Sequence, residues 1–426
     1  MLQIKQIEGL EGAVKERFGV RNLTEDQYQL FDEVLGVNDK RKRAQQELDQ
    51  ANADNKVRSA EIQALYKNGK KDEGDRLREL VIDQKDRIKS LEDRFRSLTD
   101  QVTNLLLQIP NLPHTSVPPG LSDADNVLFK EGPVSMPTLP KGALPHWDLI
   151  SKYDIVDFPT ATKIAGAGFV LYKGKGARLQ RALINFFLDE AEEAGYLEVL
   201  PPHLVNAESA MGTGSLPDKE GQMYHVTADD LYLIPTSEIP VTNIFRGDIV
   251  AAENFPIKMT AYSPCFRREA GSYGAHVKGL NRVHQFDKVE IVQIAHPDQS
   301  YEAQKEMVAH VEGLLVKLGL PYRIVQLCGG DLTFASALTY DFEVFSAAQE
   351  KWLEVSSVSN FETYQSNRMK IRYRDEKGKT QLAHTLNGSA LALARIFAAI
   401  VENYQTSDGI DIPEVLRPYT GFDKIV

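Results

Sequence analysis

The chain has 426 residues, 42% hydrophobic and 26% charged, which indicates a globular protein of two or three folding units and excludes a largely disordered chain. Two cysteines, Cys265 and Cys328, exclude a disulfide framework and a zinc knuckle, and the nine histidines form no metal-ligand cluster with them. A net charge of −11 excludes a generally basic nucleic-acid coat and leaves only local basic strips to be sought.

The opening MLQIKQIEGL lacks the apolar core of a signal peptide. The most apolar stretch, Ala390–Val401, is interrupted by Arg395 and is too short to span a bilayer. A cytoplasmic protein with reduced thiols and no membrane partner is expected.

Residues 1–110 are nearly balanced in charge, so the acidity lies in the rest of the chain. Leu77, Val81, Gln84, Ile88, Leu91, Phe95, Leu98, Val102 and Leu105 recur in alternating steps of four and three, the spacing of a coiled-coil seam. The same spacing runs back through Leu30, Val34, Val37, Arg41, Ala44, Leu48, Ala51, Asn55, Arg58, Ile62 and Leu65, more weakly. Between them Tyr66–Gly74 holds Asn68-Gly69 and Gly74, which break the helix and force an antiparallel return. The pattern predicts a helical hairpin over about 28–107, with arms about 55 Å long at 1.5 Å per residue. Lys40-Arg41-Lys42-Arg43, Lys56, Arg58, Lys85, Arg87, Lys89, Arg94 and Arg96 are spaced to track phosphates. Their interleaving with acidic residues equally suits a solvated salt-bridge face, and the arm equally suits dimerisation.

Eight of the twenty prolines fall between Pro110 and Pro145, excluding long helices and regular sheet there, so 111–145 reads as a linker. Beyond it, helices are expected at Leu179–Ala194, Ser300–Leu318 and Ala390–Asn403, with short strand-like runs such as YLEVL, DLYLIP, MTAYSPCF and VEIVQI. That mixture predicts an α+β fold with a mainly antiparallel sheet.

Neither a GxxxxGK[ST] loop nor a GxGxxG turn after a strand is present, so any bound nucleotide must be held by side chains. Arg267 and Glu269 lie two apart on an expected strand, hence on one face, followed by the glycine-rich run Gly271-Ser272-Tyr273-Gly274. Further on, Arg282, His284, Phe286 and Glu290 share one parity, an odd face to bury for packing alone. Taken singly, Arg267 and Glu269 suit cross-strand surface charges, Glu290 suits a pair with Lys288, and Glu354 suits an ordinary strand position.

RREAGSYG followed by GLNRVHQFDKVE resembles the second signature motif of class II aminoacyl-tRNA synthetases, in the bacterial seryl-tRNA synthetase form. Gly195–Pro202 resembles the first motif and His384–Arg395 the third, with Ala390 and Ala394 standing where glycine is frequent. The resemblance spans essentially the whole chain. It implies an N-terminal tRNA-binding arm over 1–110 and a class II catalytic domain over 146–426, with a mainly antiparallel sheet flanked by helices.

Residue by residue, the resemblance implies that Arg267 bridges the ATP α-phosphate and the substrate carboxylate, with Arg395 as a second catalytic charge. Arg268, Glu269, Arg282, Val283 and Phe286, and the segment Glu354-Val355-Ser356-Ser357, match the ATP-binding positions. Arg267 and Arg395 belong to the same ATP set, in which Phe286 and Arg395 stack on adenine, Glu269 lies on the adenine side and Arg282 reaches the γ-phosphate. Glu354 and Ser357 match the magnesium ligands, hard oxygens that suit the ion. Thr236-Ser237-Glu238 matches the amino-acid-binding segment, with Glu238 on the ammonium, Glu290 on the serine hydroxyl and Ser389 lining the pocket. An analogue without the hydroxyl would leave a buried acceptor unpaired, a loss worth about 10⁴-fold at such polar sites.

The implied partners are ATP with Mg²⁺ and no zinc, L-serine, tRNA(Ser) through its acceptor end and long variable arm, and a second copy of the chain. tRNA(Sec) stays open as a further acceptor. Two rivals remain: a paralogue that loads a carrier protein, against which the intact arm counts, and a catalytically dead scaffold, against which the motif residues count.

Overall fold

An apolar seam with steps of three and four is covered only by a second helix, and the N-terminal part of the chain supplies one. The computed structural model describes residues 1–9, 12–218, 220–270 and 278–426. It divides into two units, Met1–Lys15 with Leu23–Pro110, and Glu16–Asn22 with Asn111–Val426. In the first, α1 (Ile4–Glu8) precedes the long helices α2 (Glu25–Lys67) and α3 (Lys71–Leu106). Thr24 caps α2 by accepting from the Gln27 amide, while the Gln27 side chain accepts from the Thr24 amide.

Val34, Ala44, Leu48 and Ala51 of α2 and Val81, Ile88, Leu91, Leu98 and Val102 of α3 are buried along the seam. Three details differ from the sequence expectation. Asn38 is buried in place of Val37 and Arg41, because Glu8 at the end of α1 accepts from Asn38 Nδ2 at 3.4 Å and Lys42 Nζ at 2.6 Å. Leu106 is buried rather than Leu105. The break is only Asn68–Lys70, with Gly69 at φ +75°, and Gly74 lies inside α3 where the Tyr66 ring covers it.

The second unit is built on eight strands: β1 (Val127–Glu131), β2 (Leu197–Glu198), β3 (Ile257–Phe266), β4 (Gln285–Ala295), β5 (Tyr322–Gln326), β6 (Leu338–Ser346), β7 (Lys351–Asn360) and β8 (His384–Ala392). Their order is β1-β5-β6-β7-β8-β4-β3-β2, and every neighbouring pair is antiparallel except β2 with β3. The strand β1 lies within the stretch where regular sheet was excluded. No proline falls between Pro119 and Pro133, and β1 pairs on one side only, at the sheet edge.

Four helices matter here: α4 (His146–Lys152), α5 (Gly174–Glu193), α7 (Ser300–Leu318) and α8 (Leu393–Asn403), with a short α6 (Glu238–Thr242) between α5 and α7. The last starts three residues later than expected, because Ala390–Ala392 stay extended in β8, between β7 and β4. Phe186 and Phe187 of α5, Met307 and Val311 of α7 and Phe397 and Ile400 of α8 form one core with Val289 and Ile291 of β4. On the opposite parity of β4, Val292 and Ile294 join a second cluster with Val241 of α6. The central strand is thus buried on both faces.

Residues 16–22 are held in this unit by Arg21, whose Nε donates to Asn111 O at 2.8 Å and whose terminal nitrogens donate to the carbonyls of Leu332, Thr333 and Ser336. The Asn111 side chain in turn donates to Ala335 O and Phe361 O, each at 2.9 Å. At the start of α5, a Cβ on Gly176 would lie 2.2 Å from the Ile155 carbonyl oxygen, so the helix can approach that backbone only through glycine. Gly176→Ala should lower stability by about 1–3 kcal/mol through overpacking, seen as a lower midpoint in thermal melts. An unchanged midpoint would contradict this packing.

Candidate active site

Because side chains alternate along a strand, Phe286, Lys288 and Glu290 of β4 face the same way. Lys288 and Glu290 are buried, which for charged groups requires partners. Lys288 Nζ lies 2.5 Å from Glu290 Oε2 and donates to Thr236 Oγ1 at 2.8 Å. Thr236 Oγ1 also lies 3.3 Å from Glu290 Oε2 and accepts from the Glu238 amide at 3.2 Å. The segment 236–238 is held here because the Phe266 amide, at the end of β3, donates to Ile234 O.

Glu238 opens α6, and its Oε1 accepts from Gln365 Nε2 at 2.6 Å, with Asn387 of β8 as a further hydrogen-bond partner. Burial and the neighbouring Glu290 push the Glu238 carboxyl up to about 7, against the pull of Gln365, Lys288 and Asn387. Burial also raises Glu290, opposed by Lys288, Thr236 and the more distant charge of Arg267. Two carboxyl groups thus share one ammonium, and ionising both would leave the cluster one positive charge short, which is why Glu238 keeps its proton up to about 7 without a further cation. Ser389 lies opposite Glu290 in the β8–β4 register. The Ser237 side chain is fully buried and shares a 2.5 Å hydrogen bond with Ser263.

Beside this pocket the chain leaves β3 after Phe266, and Arg267 extends the ladder by one amide bond to His284 O. The Arg267 guanidinium carbon lies 5.2 Å from the Phe286 ring centroid. The expectation that Arg267 and Glu269 share a strand face is corrected: the strand has ended, and Glu269 has φ +47°, which turns the chain. Glu269 instead pairs with Arg282, Oε2 to Nη1 at 3.1 Å. Arg282 and His284 likewise precede β4, so the single face reduces to Phe286, Lys288 and Glu290. Arg268 is exposed, and its amide donates to Gln222 O. The run Gly271–Gly274 lies outside the described residues.

At the first residues of α8, Arg395 Nε donates to Asn281 O at 3.2 Å and Nη1 donates to Glu354 O, with Glu354 Oε2 at 3.7 Å. Ser357 Oγ donates to Glu354 Oε1 at 3.3 Å. Val283 and Val355 are buried apolar side chains, and the Ser356 hydroxyl donates to Ser389 O. The expected ATP-site residues thus form three sets of contacts, Arg267 with Phe286, Glu269 with Arg282, and Arg395 with Glu354 and Ser357. On the arm, Lys40, Arg43, Lys85, Arg87 and Lys89 are exposed, while Arg41 bonds Asn38 and Lys42 pairs with Glu8.

Several polar groups of this region escape a reading by motif. Gln365 and Asn387 reach Glu238 from distant positions in the sequence. Asp341 of β6 lies opposite Ser357 in the β6–β7 register, with which its carboxyl shares a hydrogen bond, while its Oδ1 is buried with no partner among the described residues. Burial and Glu354 hold the Asp341 carboxyl well above the usual range. Lys288 was marked by parity with Phe286 and Glu290 and as a pairing partner of Glu290, Asn387 lay within the third motif without a role of its own, and nothing marked Gln365 or Asp341. Among the described residues no group of three or more His, Cys, Asp or Glu is arranged to hold a metal ion, and no helix is long and apolar enough to cross a membrane.

The family described as the seryl-tRNA synthetase N-terminal domain matches residues 1–113, and the tRNA synthetase class II core domain (G, H, P, S and T) matches residues 224–404. Serine--tRNA ligase of Salinibacter ruber is 48% identical over 399 residues, covering 93% of each chain. That of Chlorobaculum parvum is 46% identical over 429 residues, covering both chains completely. Among solved structures, seryl-tRNA synthetase from Pyrococcus horikoshii complexed with ATP superposes with a TM-score of 0.91 at 33% identity, covering 100% of this chain and 99% of the other. With relatives this similar along its whole length, and with the buried Lys288–Glu290 pocket beside Arg267, the chain belongs to the seryl-tRNA synthetase family, the class II ligases that join serine to tRNA.

Proposed function

We propose that the pocket of Thr236, Glu238, Lys288 and Glu290 binds L-serine and that Arg267, Arg282, Phe286 and Arg395 bind ATP beside it. The observation that carries this reading is the pocket's missing positive charge: the serine ammonium supplies it at Glu238, leaving Glu290 and Ser389 for the hydroxyl. Arg267, whose charge reaches Glu290, receives the carboxylate. That carboxylate attacks the ATP α-phosphorus, the bond to the bridging oxygen of pyrophosphate breaks, and seryl-adenylate forms. In the second step a hydroxyl of the terminal tRNA adenosine takes the seryl group and AMP leaves. Catalysis is positioning and charge neutralisation, and ATP in the Pyrococcus horikoshii relative supports the nucleotide assignment.

The residues present fit a hard divalent cation. Glu354 and Ser357 offer oxygens 3.3 Å apart, and the unpartnered Asp341 Oδ1 lies on the adjoining strand. Mg²⁺ held by Glu354 and Ser357 would neutralise phosphate charge. A homodimer is supported by Leu197 and Leu200, 66% and 78% exposed at and just beyond the edge strand β2. The exposed Lys85, Arg87 and Lys89 of α3 would track the phosphates of tRNA(Ser) in its long variable arm.

Amino-acid-dependent exchange of labelled pyrophosphate into ATP should proceed with serine and not with threonine, alanine or glycine. Arg267→Ala should reduce it by about 10²-fold or more. Exchange with none of the four would sink the reading. Reversing Lys85, Arg87 and Lys89 to Glu should leave exchange intact, raise KM for tRNA and flatten its salt dependence; unchanged tRNA kinetics would remove the arm from the interface.

Glu238 supplies a pH test. With its carboxyl raised to about 7 in the folded ligand-free protein, folding retains a proton that the unfolded chain releases above its ordinary value, so stability falls as pH rises through that window. Glu238→Gln should therefore melt higher than the parent at pH 8, not at pH 4, and should lose serine-dependent exchange. Equal differences at both pH values would contradict the buried-charge account.

A further inference from the structure

His146, the first residue of α4, is completely buried although it lies far in sequence from every motif. Its Nε2 accepts from the Leu280 amide at 2.9 Å, while Nδ1 lies 2.7 Å from Glu402 Oε1. A backbone amide only donates, so Nε2 is bare and the ring proton sits on Nδ1, directed at Glu402. The His146 amide donates to the same carboxylate oxygen at 2.9 Å. Glu402 is tied further by Ser346 Oγ and by Gln349 Nε2 at 3.0 Å.

The approach to Leu280 is equally constrained. Gly279 has φ +71°, and a Cβ there would stand 2.2 Å from His146 Nε2. Lys278 Nζ sits 4.7 Å from the Trp147 ring centroid. Asn281 Nδ2 donates to Gln349 Oε1 at 3.3 Å, and Asn281 O accepts from Arg395 Nε. Arg395 and Glu402 stand seven residues apart on α8, two turns along one face. The contacts therefore close a ring: α8, Glu402, His146, Leu280, Asn281, Arg395 and back to α8.

We propose that His146 is a positioning residue, whose bare Nε2 seats the backbone of residues 279–282 and thereby aims Arg282 and Arg395 at the nucleotide. The inference rests on the assignment of those two arginines to ATP. It separates the two ends of the imidazole: the Nδ1 side holds the ring to α8, and the Nε2 side holds the phosphate-facing loop.

The test uses the full chain in serine-dependent pyrophosphate exchange. Asn places its amide nitrogen near the Nδ1 position and loses the acceptor, whereas Gln places an acceptor near the Nε2 position and loses the donor. His146→Asn should raise KM for ATP about five- to tenfold, the worth of one buried hydrogen bond, with KM for serine unchanged. His146→Gln should restore KM for ATP to near the parent value. Thermal melts identify a purely structural effect: equal loss of stability in both variants with KM for ATP unchanged would overturn the proposal. So would a joint rise of both KM values. Arg282→Ala is the control. If it leaves KM for ATP unchanged, the nucleotide assignment falls and takes this inference with it. If it raises KM while His146→Asn does not, the positioning role alone is wrong.

Discussion

Lys288 stands on a central strand with its ammonium 2.5 Å from Glu290, and the rest of the second unit is arranged to make that tolerable. Taking such a pair out of water costs several kcal/mol per ion, recovered only with close geometry and added hydrogen bonds. Thr236 supplies one of these, and it can do so only because the chain after Leu233 is tied to the end of β3. Gln365 and Asn387 brace the second carboxylate from another helix and another strand. A single charged cluster thus fixes the mutual placement of β3, β4, β8 and α6.

The arginines at the rim follow a different rule. Arg395 is held by two backbone carbonyls and Arg267 lies over an aromatic ring, so neither spends its charge on a tight carboxylate contact. Of these three arginines, among the described residues, Arg282 has the close ion pair, with Glu269. The guanidiniums of Arg267 and Arg395 are oriented while much of their charge stays uncompensated by close carboxylates.

The fold was legible where periodicity is unambiguous. The Ser300–Leu318 helix and the α3 seam follow directly from apolar spacing. Periodicity misled where a neighbour intervened: α1 recruits Asn38 into the seam, and the sheet keeps Ala390–Ala392 extended although their composition favours helix. At the site, Thr236, Arg267, Phe286 and Glu290 were marked by motif resemblance. The paired reading of Arg267 with Glu269 failed because backbone conformation at a strand end is not written in residue spacing. Gln365 and Asp341 were hidden for another reason, since their importance arises only from contacts across long sequence separation, and Asn387 lay within the third motif but showed its part only through its contact with Glu238.

Arg21 gives the molecule an order of assembly. Its guanidinium is satisfied by carbonyls of residues 111, 332, 333 and 336, so the seven-residue piece to which it belongs has no complete socket until more than three hundred further residues exist. During synthesis from the N-terminus, α2 and α3 can pair as soon as both have emerged. The short piece ahead of them must wait, a loose thread left over from the start of translation and tied in only near its end.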